Sequence, residues 1–585
     1  MNAHDRFLPD WFLRIKSRQI TLPRFQRFEA WEYWKVAGLL TTVLRGLPAG
    51  ATLILGVGDK EKFKSRTMAE APETGERVTE QLLDGQQRLT ALWRSLHDSY
   101  FDRTYMVNLS GNSDEASLDE TPKSPQVTGI KRNEYNGTRY PLWLDNPREC
   151  WGRKHIPLSL LRPDILSEEE IYNWIETAVE NDHKKFKQLL KEINALRDRI
   201  KGFNLPYLAL PPSTPKDVAL DVYIMMNTNA APLSTYDIIV ALVEEETEKS
   251  LHDHVNDLKR SVPRAGKYID VPQLVLNVVA LRQDRPPSQA GYQGIDFAKM
   301  INDWQTIVNG IQNMVKFLEE ECIFDEPRLP SYIPLPILAA IWEHLPTQPD
   351  QKGNARLILR KFLWRAFLTD RYDHSSTTHA LQDYRGLRKI LCENASETTV
   401  PIFNQEEYPF PTREQIFRAG WPKNKGILSR ALLALQFKCR AEDLANGAKV
   451  SVDTIDNQEY HYHHLFPAAI LREAEISEEQ IFRAMNCAFI SGPTNLTISC
   501  KAPLEYLNER GEKCILGPEE LKRRLATHLI PYEKLAVPYD SIPDDDRHRR
   551  MKEDYEAFLW ARAEIIEKAA TIACEGKTLE TVKLL

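Results

Sequence analysis

The chain has 585 residues, of which 42% are hydrophobic and 27% charged, and its formal net charge at pH 7 is −7. This length exceeds what one hydrophobic core organises, so roughly two to four domains are expected, and the ordinary composition excludes an intrinsically disordered chain. The negative charge argues against a protein that coats DNA without selectivity, because such binding depends on lysine and arginine at phosphates, but a selective DNA enzyme stays compatible with it.

Signals for a membrane or for an oxidising compartment are missing from the sequence. The first residues lack a basic region followed by an apolar run, and no stretch approaches the roughly 18 apolar residues that span a bilayer. The eight cysteines include no Cys-x-x-Cys pair, which disfavours a structural zinc knuckle and a disulfide framework. We therefore predict a cytoplasmic protein with no membrane partner.

The first 250 residues alternate short apolar runs with helical patterns. Residues 51–58 and 80–83 have the composition of buried strands, whereas 31–45 carry apolar residues at helical spacing. This alternation predicts an α/β domain over residues 1–248. Its other predicted elements are an extended segment at 20–27, a helix from Leu89, a surface insertion at 109–140, a helix at 168–179 opened by a capping box at Ser167, a helix at 182–201, a strand at 205–210, a helix ending at Met226 and a helix at 234–246.

The second half of the chain has mostly helical patterns interrupted by prolines. The predicted helices include 297–320, 337–344, 355–369 and 415–435. They indicate a helical middle domain over 249–440, which a polar loop at 446–458 joins to a histidine-rich segment. We assign this last segment to a domain over 441–530, followed by a helical tail over 531–585. The fold class expected for the whole chain is multidomain α+β.

A polar motif lies where the predicted strand at 80–83 turns into a helix. It reads Asp84-Gly85-Gln86-Gln87-Arg88. Gly85 permits a tight turn, and the amide groups at the start of the following helix can hold an anion such as a phosphate. Arg88 can donate to phosphate oxygens, and Asp84 can hold Mg²⁺ or orient a water. The alternative interpretation is a salt-bridged turn with a capped helix, since no Walker-type glycine loop is present.

A second motif, His463-His464-Leu465-Phe466-Pro467, is followed by Asn486 and Asn495. A neutral imidazole can deprotonate water near pH 7, and a divalent cation can stabilise the charge that develops on a phosphodiester during hydrolysis. Imidazole nitrogens and amide oxygens are acceptable ligands for Mg²⁺ or Mn²⁺. Two alternatives stay open, namely a zinc site and an aromatic edge without metal.

Both motifs resemble known families. The arm Phe25-Gln26-Arg27 together with residues 83–92 is similar to the DGQQR family, whose amino-terminal domain resembles ParB and sulfiredoxin. Residues 222–241 resemble a later segment of that family, although Ala230 and Ala231 replace its glycine region. This resemblance implies binding or hydrolysis of a nucleoside triphosphate at Gln26, Arg27 and residues 84–88, in control of DNA cleavage.

The carboxy-terminal motif resembles the HNH, or ββα-metal, nuclease finger that commonly follows DGQQR domains. The matching positions are His463 to Pro467, Asn486, Thr494-Asn495, Ile498-Ser499 and Pro503 to Tyr506, with Leu465 as a conservative departure. The resemblance implies that His464 is the general base and that Asn486 positions it or its loop. It also implies that His463 and Asn495 bind the metal, with His463 where many HNH enzymes have an acidic residue.

Together the two resemblances point to the GmrSD-like modification-dependent (Type IV) restriction endonucleases. We expect an antiviral enzyme that uses Mg²⁺ or Mn²⁺ to nick or cut double-stranded DNA that is modified or of phage origin, under control of GTP, ATP or UTP. A homo-oligomer and companion defence proteins stay open as partners. The first alternative is a ParB-like, nucleotide-switched DNA-binding defence protein with an inert finger. The second is a nucleotide-consuming toxin that never meets DNA.

Overall fold

The computed structural model describes residues 2–26, 31–109, 125–135, 138–163, 168–180, 182–227, 235–539, 544–580 and 584. The chain divides into two compact units, Met1–His252 and Asp253–Leu585. Helices predominate over small sheets, so the predicted α+β class is confirmed. The ParB-like assignment of the first unit and the finer division of the second half stay predictions.

The first unit is built around a six-stranded sheet with the order β1-β11-β3-β5-β2-β4. The pairs β11–β3 and β2–β5 are parallel, and the others are antiparallel. A second sheet has the order β10-β6-β7, and β8 pairs with β9. The strands are β1 (Asn2–His4), β2 (Ile20–Pro23), β3 (Thr52–Gly56), β4 (Ser65–Arg66), β5 (Glu80–Asp84), β6 (Arg103–Asn108), β7 (Gln126–Lys131), β8 (Asn133–Tyr135), β9 (Thr138–Tyr140), β10 (His155–Pro157) and β11 (Tyr207–Leu210).

Helices of the first unit cover this sheet with apolar faces. In α1, Trp11 and Phe12 are fully buried in the core, and the indole of Trp11 donates a hydrogen bond of 3.0 Å to the carbonyl of Leu205. The helices are α1 (Leu8–Lys16), α2 (Tyr33–Leu44), α3 (Gln86–Leu96), α4 (Pro147–Gly152), α5 (Glu168–Val179), α6 (His183–Lys201), α7 (Lys216–Asn227) and α8 (Thr235–Thr247), and α9 (Leu251–Ser261) crosses the unit boundary.

Most elements predicted for this half are confirmed within one to three residues. The predicted surface insertion at 109–140 is wrong for residues 126–131, which form β7 and pair antiparallel with β6. Polar residues dominate this stretch, but Val127 and Ile130 give it enough strand character to extend a sheet. Residues 110–124 and 136–137 lie outside the described residues, as does Ser167 of the predicted capping box.

The second unit is helical apart from one hairpin in its described part, β12 (Tyr460–His464) paired with β13 (Cys487–Ser491). Among the described residues of the chain, no helix combines the length and apolar character that crossing a bilayer requires. The helices are α10 (Val271–Arg282), α11 (Gln289–Tyr292), α12 (Phe297–Asn302), α13 (Trp304–Glu320), α14 (Pro334–Ile341), α15 (Pro349–Leu368), α16 (Ser376–Glu393), α17 (Arg413–Arg418), α18 (Ile427–Lys438), α19 (Val452–Asn457), α20 (Ala468–Glu473), α21 (Glu478–Ile481), α22 (Gly492–Ile498), α23 (Pro503–Lys513), α24 (Pro518–Thr527), α25 (Tyr532–Leu535) and α26 (Asp544–Cys574).

Two long helices predicted for this half are each divided in the structure. The predicted helix at 297–320 is interrupted at Asp303, between α12 and α13. The predicted helix at 415–435 is two helices, α17 and α18, because Pro422 and Gly426 interrupt the helical backbone between them. Because the apolar spacing continues on both sides of such a break, the sequence pattern does not reveal the interruption.

Candidate functional site

The hairpin of the second unit and the helix after it bring two of the predicted site residues together. Strands β12 and β13 are antiparallel, with His463 opposite Ala488 and His464 opposite Cys487. Helix α22 begins at Gly492, directly after β13. Its first turn therefore lies beside β12, and the amide oxygen of Asn495 is 2.8 Å from Nδ1 of His463.

A chain of polar contacts extends from this pair toward the surface. The amide nitrogen of Asn495 donates to Nδ1 of His461 over 3.0 Å, and Nε2 of His461 is 3.1 Å from a carboxylate oxygen of Glu459. His461 and His463 lie on the same face of β12 because side chains alternate along a strand. One amide thus lies between two imidazoles, with a carboxylate at the exposed end of the chain.

His463 is a neutral ligand candidate. Burial lowers its pKa from 6.5 to about 4, and the hydrogen bond with Asn495 offsets only part of this effect. Its Nε2 is enclosed and has no hydrogen-bond partner. Within the part of the chain that the structure describes, no group of three or more His, Cys, Asp and Glu side chains could hold a metal. The imidazole of His463 and the amide oxygen of Asn495 are the two predicted metal donors that the structure brings into contact.

His464 lies on the opposite face of β12. Its ring stacks on Trp421, with 4.2 Å between the ring centres and an interplanar angle of 14°. It also makes an edge-to-face contact with Phe482, with 4.8 Å between the ring centres. Burial lowers its pKa to about 4, Arg472 lowers it further and Glu478 acts in the opposite direction. The imidazole is therefore neutral near pH 7. Trp421 was not among the residues predicted from sequence, and nothing local to it indicates this role.

The side chain of Asn486 holds neighbouring backbone segments together through hydrogen bonds. It is fully buried, and its oxygen accepts a 2.8 Å hydrogen bond from the amide of Phe466. Its nitrogen donates to the carbonyls of Phe466 and Ile481 at 3.1 and 3.2 Å. The side chain holds the segment that follows His464, and the four predicted groups do not converge on one point.

Asp443 is a positioning residue that the sequence reasoning missed. One of its oxygens accepts from the hydroxyl of Thr494 at 2.6 Å, and the other accepts from the amide of Ser491 at 2.8 Å. These hydrogen bonds outweigh burial and lower the pKa of Asp443. The carboxylate therefore anchors the start of α22, which carries Asn495. Its turn-forming context, Asp-Leu-Ala-Asn-Gly, was the one visible signal.

The amino-terminal motif forms the predicted strand-to-helix turn. Asp84 ends β5, Gly85 has a φ of 97°, and α3 begins at Gln86. The guanidinium of Arg88 donates to the carbonyls of Ala49 and Ala51, both at 2.8 Å, and contacts Asp84 at 3.1 Å. Arg88 thus fastens the turn to the segment before β3, and most of its donors are engaged within the protein.

Gln26 lies under the same turn and is 2% exposed. Its amide nitrogen donates to the carbonyls of Leu82 and Leu83, both at 2.8 Å, which connects the arm to β5. Its oxygen is buried without a hydrogen-bond partner among the described residues. Arg27, the next predicted residue, lies outside the described residues. Gln86 is buried and Gln87 is half-buried at the start of α3.

Replacing Gly85 with alanine is expected to lower the stability of the first unit by about 2 kcal/mol or more. A left-handed backbone costs an L-residue about 1–2 kcal/mol, and a Cβ there would lie 2.4 Å from Cγ2 of Thr52. The control is Gly38→Ala, because Gly38 lies in α2 with open space around it, and alanine there stabilises a helix by up to about 1 kcal/mol. Urea denaturation compares the two variants. Equal stability would contradict this role of the turn.

A buried carboxylate, Glu244, lies at the carboxyl end of α8. It is 2% exposed, and neither of its oxygens accepts a hydrogen bond from another side chain among the described residues. Burial raises its pKa from 4.5 to about 7, against the opposing effect of Arg24, Lys64 and Lys216. Because the folded pKa is raised, the stabilising contribution of the neutral acid is complete below pH 4.5 and is lost as the pH rises through 7.

Glu244→Gln is therefore expected to flatten the dependence of stability on pH. Between pH 5 and pH 8 the wild-type protein should lose about 1–3 kcal/mol that the variant keeps, since one pKa unit corresponds to about 1.4 kcal/mol. Thermal unfolding across this range measures the difference. Glu246→Gln, on the exposed side of the same helix, should leave the wild-type profile unchanged. Parallel profiles for wild type and Glu244→Gln would contradict the assignment.

Comparison with known proteins bears on the first unit in particular. Residues 9–244 match the model of the family described as GmrSD restriction endonuclease, N-terminal domain. The amino-terminal unit is therefore similar to the amino-terminal domain of these proteins. An uncharacterized protein of Methanocaldococcus jannaschii is 22% identical over 618 aligned positions, which cover 96% of this chain and 98% of that protein.

Proposed function

We propose that the protein is a divalent-metal-dependent DNA endonuclease of the HNH type, controlled by a nucleoside triphosphate at its amino-terminal unit. The observation that carries this proposal is the contact between His463 and Asn495, joined by an antiparallel hairpin and the helix that follows it. The match of residues 9–244 to the amino-terminal domain of a restriction endonuclease family independently supports a nuclease function.

His463 and Asn495 are the residues that would hold the metal, Mg²⁺ or Mn²⁺. When bound, such a cation stabilises negative charge on the phosphodiester. The protein prepares the donors in advance, because Asp443 fixes the start of α22 and the strand ladder fixes β12. His461 positions Asn495 by accepting from its amide nitrogen, which keeps the amide oxygen directed at His463.

His464 is the proposed general base. Its stacking on Trp421 holds the ring in one orientation, and Asn486 fixes the backbone immediately after it. A pKa of about 4 keeps the imidazole neutral but makes it a weak base. The phosphate of bound DNA is a nearby anion and raises the pKa of an imidazole, so substrate binding moves His464 toward the working pH.

The nucleotide site is proposed at the start of α3. This helix has 11 residues and begins directly after Gly85, and a helix of this length directs amide groups and a positive dipole at an anion. The buried oxygen of Gln26 supplies an acceptor on the arm beside it. Because the guanidinium of Arg88 donates to backbone carbonyl groups, we assign Arg88 to holding the turn. We assign phosphate binding to the backbone amides at the start of α3. GTP, ATP and UTP all suit such a site.

The decisive experiment incubates the full chain with DNA and Mg²⁺ or Mn²⁺, with and without each triphosphate. The panel contains unmodified, hydroxymethylated, glucosylated and phosphorothioated plasmids. We expect nicked or linear product from at least one of these DNAs and its loss when the metal is chelated. The absence of metal-dependent product from the whole panel would overturn the proposal in favour of a nucleotide-switched DNA-binding protein with an inert finger.

A further inference from the structure

A cavity of about 430 Å³ lies in the second unit, away from the hairpin in sequence. It is enclosed by α10, α14 and the first turn of α16. Its apolar walls include Pro287, Ile333 and Pro336, and the side chain of Tyr332 lies at the rim with 57% of its surface exposed. The size is within the usual range of sites that enclose a small organic group.

One wall of the cavity carries two amide side chains in a fixed arrangement. Asn277 is 8% exposed, and its oxygen accepts from Nε2 of Gln273 at 3.1 Å and from the hydroxyl of Tyr292. The same Nε2 lies 2.6 Å from the Tyr292 hydroxyl. Burial raises the pKa of Tyr292, which keeps this hydroxyl protonated.

These contacts determine what the two amides offer to a ligand. Because the Asn277 oxygen and the Gln273 nitrogen face each other and Tyr292, the Asn277 nitrogen and the Gln273 oxygen are directed elsewhere. Among the described residues, the Asn277 nitrogen donates no hydrogen bond and the Gln273 oxygen accepts none. The wall thus presents a free donor beside a free acceptor, and the donor belongs to a side chain that is more than nine-tenths buried.

The charge of the lining excludes a phosphate as the enclosed group. No lysine or arginine lines the cavity, and its one acidic side chain of the Asp or Glu type is Asp270. The lining therefore offers no positive charge to an anionic group. A donor–acceptor pair for hydrogen bonds and an aromatic ring for stacking are the features by which proteins read a nucleobase outside a double helix.

We propose that this cavity binds a single nucleobase, with the Asn277 and Gln273 amides on its hydrogen-bonding edge and Tyr332 against its face. The base comes either from a nucleotide rotated out of DNA or from a free nucleoside. This site goes beyond the proposed nuclease, because it needs neither the metal nor cleavage.

The test titrates the full chain with each of the four deoxynucleosides by calorimetry, without metal, and with deoxyribose 5-phosphate as the ligand that lacks a base. We expect at least one nucleoside to bind and the sugar phosphate to give no heat of binding. Tyr332→Ala should weaken this binding about tenfold, because stacking on one aromatic ring is worth about 1–3 kcal/mol. Asn277→Leu should abolish it, and Leu357→Ala, at an exposed position in α15, should change nothing.

A second measurement separates the two sources of the base. Duplex DNA containing 2-aminopurine should become more fluorescent when the protein binds, if the base leaves the helix. With the Tyr332→Ala variant this increase in fluorescence should be absent. Nucleoside binding without this gain assigns the site to a free nucleoside. The proposal is overturned if no nucleoside binds and no gain occurs, or if Tyr332→Ala and Asn277→Leu bind like the wild type. A variant with a disabled His464 keeps the site, so failure of the nuclease is recognised separately.

Discussion

Alanine in place of His464 is expected to lower the rate of metal-dependent DNA cleavage by about 10²- to 10⁴-fold, the usual contribution of a general base. The side chain contacts Trp421 and Phe482, and the nearby Glu478 pairs with Arg472. Loss of His464 therefore removes proton transfer without removing the partner of that carboxylate. Nucleotide hydrolysis should be unchanged, because the proposed triphosphate site is on the first unit. Single-turnover cleavage of plasmid at saturating metal measures the effect.

The matched variant is His464→Phe. Phenylalanine keeps a flat ring against Trp421 but has no nitrogen to accept a proton. It should therefore lose cleavage as His464→Ala does while retaining the thermal stability of the wild type. Cleavage by His464→Phe within tenfold of the wild-type rate would remove His464 from the mechanism. A parallel loss of nucleotide hydrolysis would instead show that the two centres are not separate.

Local sequence patterns were sufficient to predict the strand–turn–helix around Gly85. The turn depends on one residue with positive φ, and the motif is short enough for its neighbours in the chain to decide its conformation. The pairing of His463 with Asn495 depended on a strand register that no local pattern contains. It came from the family resemblance; the structure places the two side chains in contact, and their metal-binding role stays a prediction.

Residues that support the site from a distance were beyond prediction for the same reason. Asp443 contacts Thr494 from 51 positions earlier in the chain, and an isolated buried aspartate has no signature of its own. Arg88 was assigned to phosphate because its side chain suits that ligand, whereas its nearest partners are carbonyls of a segment 37 and 39 positions earlier. Which partner a long cation takes is decided by tertiary contacts.

Arg562 is the most consequential residue of this kind. It is fully buried in α26, has no acidic partner among the residues that the structure describes, and its guanidinium donates to four backbone carbonyls. Two of them, at Met485 and Cys487, flank Asn486 at 2.7 and 2.8 Å, and the others are at His528 and Leu529. Burial lowers its pKa to about 10, so it stays charged near neutral pH. Helix α26 thus stabilises the backbone of the hairpin that carries the candidate site.

Arg562→Met is therefore expected to destabilise the second unit by at least about 3 kcal/mol, because four buried carbonyls lose their donors at once. Amides of β13 should exchange with solvent faster, and cleavage should fall together with stability. Arg549→Met is the control, since Arg549 is exposed on the same helix and its pair with Asp546 contributes little. Denaturation with hydrogen exchange compares the two variants. If Arg562→Met keeps wild-type protection in β13, the hairpin is held by its own ladder and by Asn486, and α26 is dispensable for the site.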